Sequence, residues 1–480
     1  MTVVSYAQIP TRTPSWSPDG VAYDLPFFEN AAYDPRVKTP DEILGFKLGT
    51  RPASHAELER CLYAWRESKR MTLHTYAQSH ERRTLYYAVI TTEANQARIA
   101  AIRASIGKLA DPRKLGSDDE ANRLIESTPA VAWMAYSIHG DELSSTDAAI
   151  AVMYYLIACT DKRVTDLLSE VVVVIDPLMN PDGRDRIIQQ LNTFGGYTPN
   201  LDAQAMQHRG RWPRGRGNHY FFDMNRDWIL GVHPETRGRQ KAVSEWNPQL
   251  FVDSHEMGGY DTYLFYPPRE PFNPHMSQVF HKWWRVFAGD QARAFDQYGW
   301  SYYTREWVEG WYPGYSDSWA GFLGALGILY EQAGVGGSPI RRPAGDILTY
   351  REAVHHHAVS SIINLSTLHT NRKAILSDYL QQKRDALTVT PESPAKTFIL
   401  RPGRNTTRDA ALLDLLHNQG IEIQIASAAF KVERAVDIFR ETSEGVEFPA
   451  GSFLIPLKQP LGPLVGATLD FDPHMSVKAL

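Results

Sequence analysis

Short apolar runs alternate along this chain with longer segments that repeat apolar residues at helical spacing. The runs that predict buried strands are AVAWMAYSI at 130–138, VVVVID at 171–176, QLFVDS at 249–254 and LGILY at 326–330. The segments that predict helices are 54–69, which Ser54 opens, 93–110 and 145–160. Strands that are apolar throughout and alternate with helices indicate a mostly parallel sheet that helices cover on both faces.

The same pattern predicts four parts along the chain. We expect an N-terminal arm at 1–40, a main α/β domain at 41–372, a polar linker at 373–394 and a small accessory α/β domain at 395–480. The fold class is therefore α/β, with a mixed, mostly parallel sheet between helices and a small C-terminal α/β domain. The final residues, LDFDPHMSVKAL, end inside what reads as a continuing segment, so we expect the chain to be incomplete.

The composition says more about which classes of binding partner to expect than about the fold. The 480 residues are 43% hydrophobic and 22% charged, with a formal net charge of −5, which gives no reason to expect nucleic acid as a partner. One basic loop, RGRWPRGRGNHY at 209–220, does not change that expectation. No apolar stretch reaches transmembrane length, and the only cysteines, Cys61 and Cys159, are best read as core residues.

Candidate chemistry follows the predicted strands. His139 and Glu142 come after the first run, His255 after the third and Glu331 after the fourth. Because ligands bind outside the carboxyl ends of strands in such sheets, these four side chains should share one edge.

These four residues form a plausible zinc centre with its own base. A catalytic zinc ion takes three nitrogen or oxygen ligands and keeps one position open for water, which His139, Glu142 and His255 allow. Glu331 would act as the general base toward that water. The competing interpretations are a polar corner for the His-x-x-Glu pair and a buried structural acid for Glu331.

Two further segments carry side chains that suit a substrate. In FFDMNRDW at 221–228, Asn225 and Arg226 follow the strand-like YFFDM and could grip a carboxylate, although a surface salt bridge is the simpler interpretation. An arginine of the basic loop could stabilise an oxyanion. The three adjacent histidines at 355–357 point in different directions on a helix, so we expect a solvated face or support for the metal ligands.

Together these motifs resemble the zinc carboxypeptidase family. HGDE, NPDGR, DMNR, SHEMGG and LYEQAG occur in the family's order, and the resemblance covers about 40–370. It is closest to a bacterial branch with signatures like WPRGRGNHYFFDMNRDW and YPGYSDSWAGFLGALGILYEQAG. The resemblance implies a zinc-peptidase fold and identifies 41–372 as the catalytic domain.

The resemblance also assigns roles. It implies one zinc ion on His139, Glu142 and His255, with Glu331 as the general base. It implies that Asn225 and Arg226 bind the substrate C-terminus. Arg216, chosen over Arg214 and Arg211, would be the transition-state arginine, and Tyr312, chosen over Tyr315, the mobile substrate tyrosine. Ser316 and Asp317, where pocket identity is read, match no family pattern cleanly and leave the side-chain preference open.

The expected function is zinc-dependent removal of C-terminal amino acids from peptides with a free C-terminus. The resemblance favours a periplasmic or secreted compartment, and SYAQ near the N-terminus resembles the tail of a signal-peptide cleavage site. Two alternatives remain: a zinc-dependent deacylase of the same superfamily, and a zinc-binding module without catalysis.

Overall fold

A computed structural model describes residues 16–17, 20–21, 23–196, 198–388, 396–471 and 475. The SYAQ segment at 5–8 lies outside the described residues, as do 389–394 of the predicted linker and most of the final twelve residues.

Eighteen strands form in the described part of the chain. They are β1 (Trp16–Ser17), β2 (Gly20–Val21), β3 (Met71–Gln78), β4 (Thr84–Ile90), β5 (Ala130–Tyr136), β6 (Val171–Asp176), β7 (Leu250–Met257), β8 (Tyr263–Phe265), β9 (Arg269–Phe272), β10 (Glu309–Gly310), β11 (Leu326–Ala333), β12 (Ile340–Arg341), β13 (Ile347–Leu348), β14 (Thr397–Leu400), β15 (Gln424–Ile425), β16 (Phe430–Val436), β17 (Thr442–Phe448) and β18 (Phe453–Pro456).

Helices separate most of these strands. They are α1 (Pro40–Leu44), α2 (His55–Trp65), α3 (Glu93–Ala97), α4 (Ile99–Ala110), α5 (Asp118–Ser127), α6 (Ser144–Ala158), α7 (Lys162–Glu170), α8 (Pro181–Phe194), α9 (Met206–Arg209), α10 (Pro234–Trp246), α11 (Val279–Tyr298), α12 (Ser316–Phe322), α13 (Tyr350–Thr370), α14 (Arg372–Ala386), α15 (Thr406–Asn418) and α16 (Gly462–Leu469), with 3-10 turns at Pro112–Lys114 and Met224–Arg226.

A seven-stranded mixed sheet organises the main domain. Its order is β3-β4-β6-β5-β7-β11-β8, and the four central strands, β6, β5, β7 and β11, run parallel. The outer strands β3, β4 and β8 pair antiparallel. Every residue of β5 and β6 is buried, which explains their apolar sequences. The predicted mixed sheet flanked by helices is confirmed.

Helices α6 and α13 pack together against the central strands, and α11 packs against α13. This enclosure corrects one expectation: the histidines at 355–357 on α13 are buried, with His355 and His357 fully inaccessible, so they form no solvated face. Among the described residues, no helix combines the length and apolar character that a bilayer crossing requires.

Local boundaries differ from the sequence pattern where tertiary pairing decides them. The predicted helix at 93–110 is broken at Arg98, whose backbone leaves the helical region between α3 and α4. β7 and β11 continue further than their apolar runs, so His255 and Glu331 lie inside paired strands, directly opposite each other in register. The parallel ladder extends through these polar residues because their backbones still find partners.

The C-terminal part contains a three-stranded sheet, β14-β18-β15, the hairpin β16–β17 and helices α15 and α16. Gln419 joins it to the main domain, accepting from the Trp319 indole at 2.7 Å and donating to the Trp228 carbonyl at 2.9 Å. Residues 373–386 of the predicted linker lie in helix α14, and the division into domains stays a prediction.

Candidate active site

The three predicted metal ligands converge in the structure. His139 Nδ1 lies 2.6 Å from Glu142 Oε1, His255 Nδ1 lies 2.9 Å from Glu142 Oε2, and the two Nδ1 atoms are 3.2 Å apart. The three residues are only 2%, 6% and 2% exposed, respectively. Residues from two neighbouring parallel strands therefore point their donor atoms at one spot.

The turn after β5 brings His139 and Glu142 to the same side. Ser137 adopts a left-handed backbone, and its hydroxyl donates to the Glu142 carbonyl at 3.0 Å. Gly140 is required there because a Cβ atom would lie 2.2 Å from the backbone nitrogen of Arg184 at the start of α8. The tight turn and the close approach of α8 together fix both ligands.

A carboxylate supports each histidine from behind. Asp223 Oδ1 lies 2.9 Å from His139 Nε2, and Asp253 Oδ2 is hydrogen-bonded to His255 Nε2. A carboxylate that takes the Nε2–H leaves the Nδ1 lone pair free for a metal ion. Two imidazole nitrogens and one carboxylate, with this support, fit a zinc ion.

Sequence reasoning missed both supporting acids. Asp253 could have been found, because it lies two residues before His255 and so shares its face of β7. Asp223 lies in the quoted DMNR motif but carried no assigned role.

The electrostatics of the cluster favour an ionised Glu142. Burial opposes ionisation of Glu142, but the adjacent His139 and His255 more than offset it and hold the Glu142 pKa well below its usual range. Burial raises the pKa of Glu331 to about 8, an effect that His255 partly opposes. Glu331 is 8% exposed, and its Oε2 atom has no hydrogen-bond partner among the described protein atoms.

Seven of the eight predicted site residues line one cavity of about 340 Å³. They are His139, Glu142, Arg216, Asn225, Arg226, His255 and Glu331. Tyr312 is not among the lining residues, whereas Tyr315 is, and their rings lie 5.0 Å apart in an edge-to-face contact.

Arg216 reaches the metal ligands from the basic loop. Its guanidinium donates to Asp223 Oδ2 at 3.0 Å and to Glu142 Oε1 at 3.3 Å, and its side chain remains 48% exposed. Arg214 lines a neighbouring cavity, and Arg211 stacks over Phe194 at 5.0 Å. Of the three arginines considered from the sequence, only Arg216 lies at the ligand cluster.

Asn225 and Arg226 come from a 3-10 turn, so the strand expected at YFFDM does not form. Asp223 caps that turn by accepting the Asn225 backbone N–H at 2.9 Å. The Asn225 side-chain oxygen accepts the Ser316 N–H at 2.9 Å, and its Nδ2 lies 3.2 Å from His255 Nε2. The Arg226 guanidinium lies over the Tyr315 ring at 4.6 Å and is partly exposed to the cavity.

Three further acids, Glu256, Glu309 and Asp317, line the cavity. Asp317 is 3% exposed and accepts a hydrogen bond from the Tyr266 hydroxyl, and burial raises its pKa to about 6. Burial also raises the pKa of Glu309. The cavity lining therefore combines these acids with the cations Arg216 and Arg226.

Comparison with known proteins gives one family. The sequence model described as zinc carboxypeptidase matches residues 62–320, more than half of the chain. The matched region contains all three candidate ligands and ends before Glu331. No curated protein matches the chain.

Several of the solved structures that match this chain are carboxypeptidases, and two of them illustrate the likeness. A metallo-carboxypeptidase from Burkholderia cenocepacia is 13% identical, with 67% of this chain and 70% of that chain covered and a TM-score of 0.43. The carboxypeptidase A of Helicoverpa armigera is 14% identical, with 70% and 80% covered and a TM-score of 0.43.

Proposed function

Because this chain belongs to the zinc carboxypeptidase family, we propose that it removes single amino acids from the free C-terminus of peptides. The observation that best supports this proposal is the shared cavity, which holds three candidate zinc ligands, the acid Glu331 and the cation Arg226.

His139, Glu142 and His255 would hold one zinc ion. When bound, zinc supplies a Lewis acid that polarises the scissile carbonyl and lowers the pKa of water. Asp223 and Asp253 would accept the Nε2–H groups and orient the two imidazoles, so that their Nδ1 atoms are the ones that face the ion.

Glu331 serves as the proton carrier in this proposal. Glu331 lines the same cavity as the ligand cluster, and its Oε2 atom has no hydrogen-bond partner among the described protein atoms, so its carboxylate takes a proton from the attacking water and returns it to the leaving amine. Arg216, already held beside Glu142 by Asp223, stabilises the negative charge that develops on the carbonyl oxygen.

Arg226 would bind the substrate carboxylate. A guanidinium pairs with a carboxylate through two parallel hydrogen bonds, and Tyr315 supports the plane of this one from beneath. Asn225 is tied to Ser316 and lies beside His255, so its contribution is to position this turn as well as to contact substrate. Separate Tyr312→Phe and Tyr315→Phe substitutions would show which of the two tyrosines contacts the substrate.

The acidic wall suggests a side-chain preference. Glu309 and Asp317 line the same cavity as Arg226, so we expect them to favour a cationic C-terminal side chain over an anionic one.

The decisive experiment is digestion of a peptide library by the zinc-loaded protein, read by mass spectrometry. We expect single residues to be lost in sequence from the C-terminus, and C-terminal amides to resist. Internal cleavage, or faster hydrolysis of N-acyl amino acids than of peptides, would contradict the proposal and favour an endopeptidase or a deacylase. Bound zinc without any hydrolysis would leave only the binding module.

A further inference from the structure

A second group of metal-binding side chains lies outside the active-site cavity. His80, His233 and Glu235 offer donor atoms that all lie within 4.8 Å of one another. His80 Nε2 is 3.0 Å from His233 Nδ1 and 3.8 Å from Glu235 Oε2. The corresponding distances among the three candidate zinc ligands are shorter, at 2.6–3.2 Å.

A turn and the start of a helix present this group. His80 lies in the turn between β3 and β4, which the Arg82 N–H closes by donating to the Ser79 carbonyl at 2.9 Å. His233 is the N-cap of α10, and Glu235 lies in the first turn of that helix. The backbone N–H of His80 donates to Glu235 Oε1 at 3.3 Å, so the turn and the helix are already joined.

The second oxygen of Glu235 lacks a partner. Glu235 is 1% exposed, and its Oε2 atom has no hydrogen bond among the described protein atoms. Among the described residues, the only ionic contact of Glu235 is with His80, whose Nε2 lies 3.8 Å from Oε2. A buried carboxylate oxygen without a partner is unfavourable, and a cation placed between it and the two imidazoles removes that cost.

The donor set identifies the class of cation. Calcium and magnesium take oxygen ligands almost exclusively, whereas two imidazole nitrogens and one carboxylate suit zinc and neighbouring divalent transition metals. We propose that His80, His233 and Glu235 form a second binding site for such an ion, with water completing its coordination.

The site would fasten a functional segment to the body of the protein. Asp227, directly after the turn that carries Asn225 and Arg226, accepts the backbone N–H groups of Val232 and His233 at 3.0 and 3.1 Å. The Phe222 ring lies 4.6 Å from that of His233. An ion on His80 and His233 therefore ties the segment at 222–233 to the β3–β4 turn and serves stability rather than hydrolysis.

One arrangement without metal uses the same atoms. A protonated His80 could pair with Glu235 and donate to His233 Nδ1. The two interpretations differ in metal content, because the ion-pair arrangement binds no ion and the proposed site binds one.

The test counts metal ions in the full chain. After chelation and reloading with zinc and removal of excess, mass spectrometry of the metal should give two ions per chain for the unaltered protein. His80→Ala and Glu235→Gln should each hold one, His255→Ala should hold one, and the double variant His80→Ala/His255→Ala none. His219→Ala is the matched control and should keep two, because that exposed histidine bonds Glu81 instead.

A crystal of the zinc-loaded protein provides a readout that needs no variant. Anomalous scattering at the zinc edge should show a peak among His80 Nε2, His233 Nδ1 and Glu235 Oε2. One ion per chain with no such peak would overturn the proposal. So would a second ion that His80→Ala and Glu235→Gln both leave in place, since that ion would be adventitious.

Discussion

The two clusters have the same donor types, two histidines and one glutamate, but very different surroundings. At His139, Glu142 and His255, a carboxylate supports each imidazole, Glu331 stands alongside, and the cavity leaves room for a substrate. At the second cluster the His80 side chain is 25% exposed, and His233 Nε2 has no partner among the described protein atoms. Two imidazoles and one carboxylate are a sufficient donor set for a metal ion, whereas metal-assisted catalysis also requires supported ligands, a base and a cavity.

The largest expected effect comes from removing a ligand of the first cluster. His255→Ala should lose one zinc ion and reduce kcat/KM by at least about 10³-fold, because metal-ion catalysis supplies several kcal/mol at about 1.4 kcal/mol per decade. Metal content and hydrolysis of a blocked dipeptide measure both effects. Full zinc content in this variant would remove His255 from the ligand set.

Glu331→Gln should separate metal binding from chemistry. The amide keeps the shape of the side chain but cannot accept a proton, so hydrolysis should fall by about 10²- to 10⁴-fold while zinc content stays unchanged. A glutamate at the neighbouring position, Gln332→Glu, should not replace Glu331 as the base, because the Gln332 side chain is buried and hydrogen-bonded to His356. A near-normal rate for Glu331→Gln would mean that another group is the base.

The sequence predicts the first cluster because its ligands come from parallel strands, whose carboxyl ends must meet at one edge. His139 and Glu142 follow β5, and His255 lies on the strand that pairs with it. The second cluster joins the β3–β4 turn, at the antiparallel edge of the sheet, to the start of α10. The periodicity of the sequence does not predict against which strand that helix packs. It docks against β3 partly because Gly238 allows the carbonyl of Tyr76 to approach closely, which only the structure reveals.

Other boundaries escaped the sequence for similar reasons. Apolar runs stop at Ser254 and Tyr330, yet the ladder continues through His255 and Glu331 because backbone pairing is indifferent to side-chain polarity. The polar segment from Arg372 is helical because its buried side packs on the main domain, with the Arg372 guanidinium donating to the Thr128 carbonyl at 2.6 Å.

Arg226 provides a test of substrate direction at the first cluster. A charge-assisted bond to the C-terminal carboxylate contributes about 1.5–3 kcal/mol, so amidation of the peptide should lower kcat/KM by about 10- to 100-fold. Arg226→Ala should impose a similar loss on the free acid and little further loss on the amide. Equal rates for acid and amide in the unaltered protein would refute the carboxypeptidase proposal.

The metal-free first cluster should carry a pH-dependent instability. Burial raises the Glu331 pKa to about 8 in the folded protein, against about 4.3 when unfolded, so the folded state binds more protons between those values. The free energy of unfolding of the chelator-treated protein should therefore fall as pH rises through that window. The metal-free Glu331→Gln variant should lose less stability over the same pH range, which the melting temperature measured as a function of pH will show. Identical slopes for both proteins would contradict the raised pKa.

The smallest expected effect tests the second cluster as a structural fastening. An ion that binds only the folded state stabilises it by RT ln(1 + [L]/Kd), about 2.7 kcal/mol when its free concentration is one hundred times Kd. At about 2–4 °C per kcal/mol for domains of ordinary size, His255→Ala should still gain several degrees in melting temperature on zinc addition. Adding His80→Ala to that variant should abolish the gain, whereas adding His219→Ala should preserve it. The His255→Ala background isolates the second cluster, because the first can then no longer hold its ion. A zinc-induced shift of equal size in the presence and absence of His80 would mean that the stabilising ion binds elsewhere. The two clusters would then have the same types of donor, but only the first would bind a metal ion.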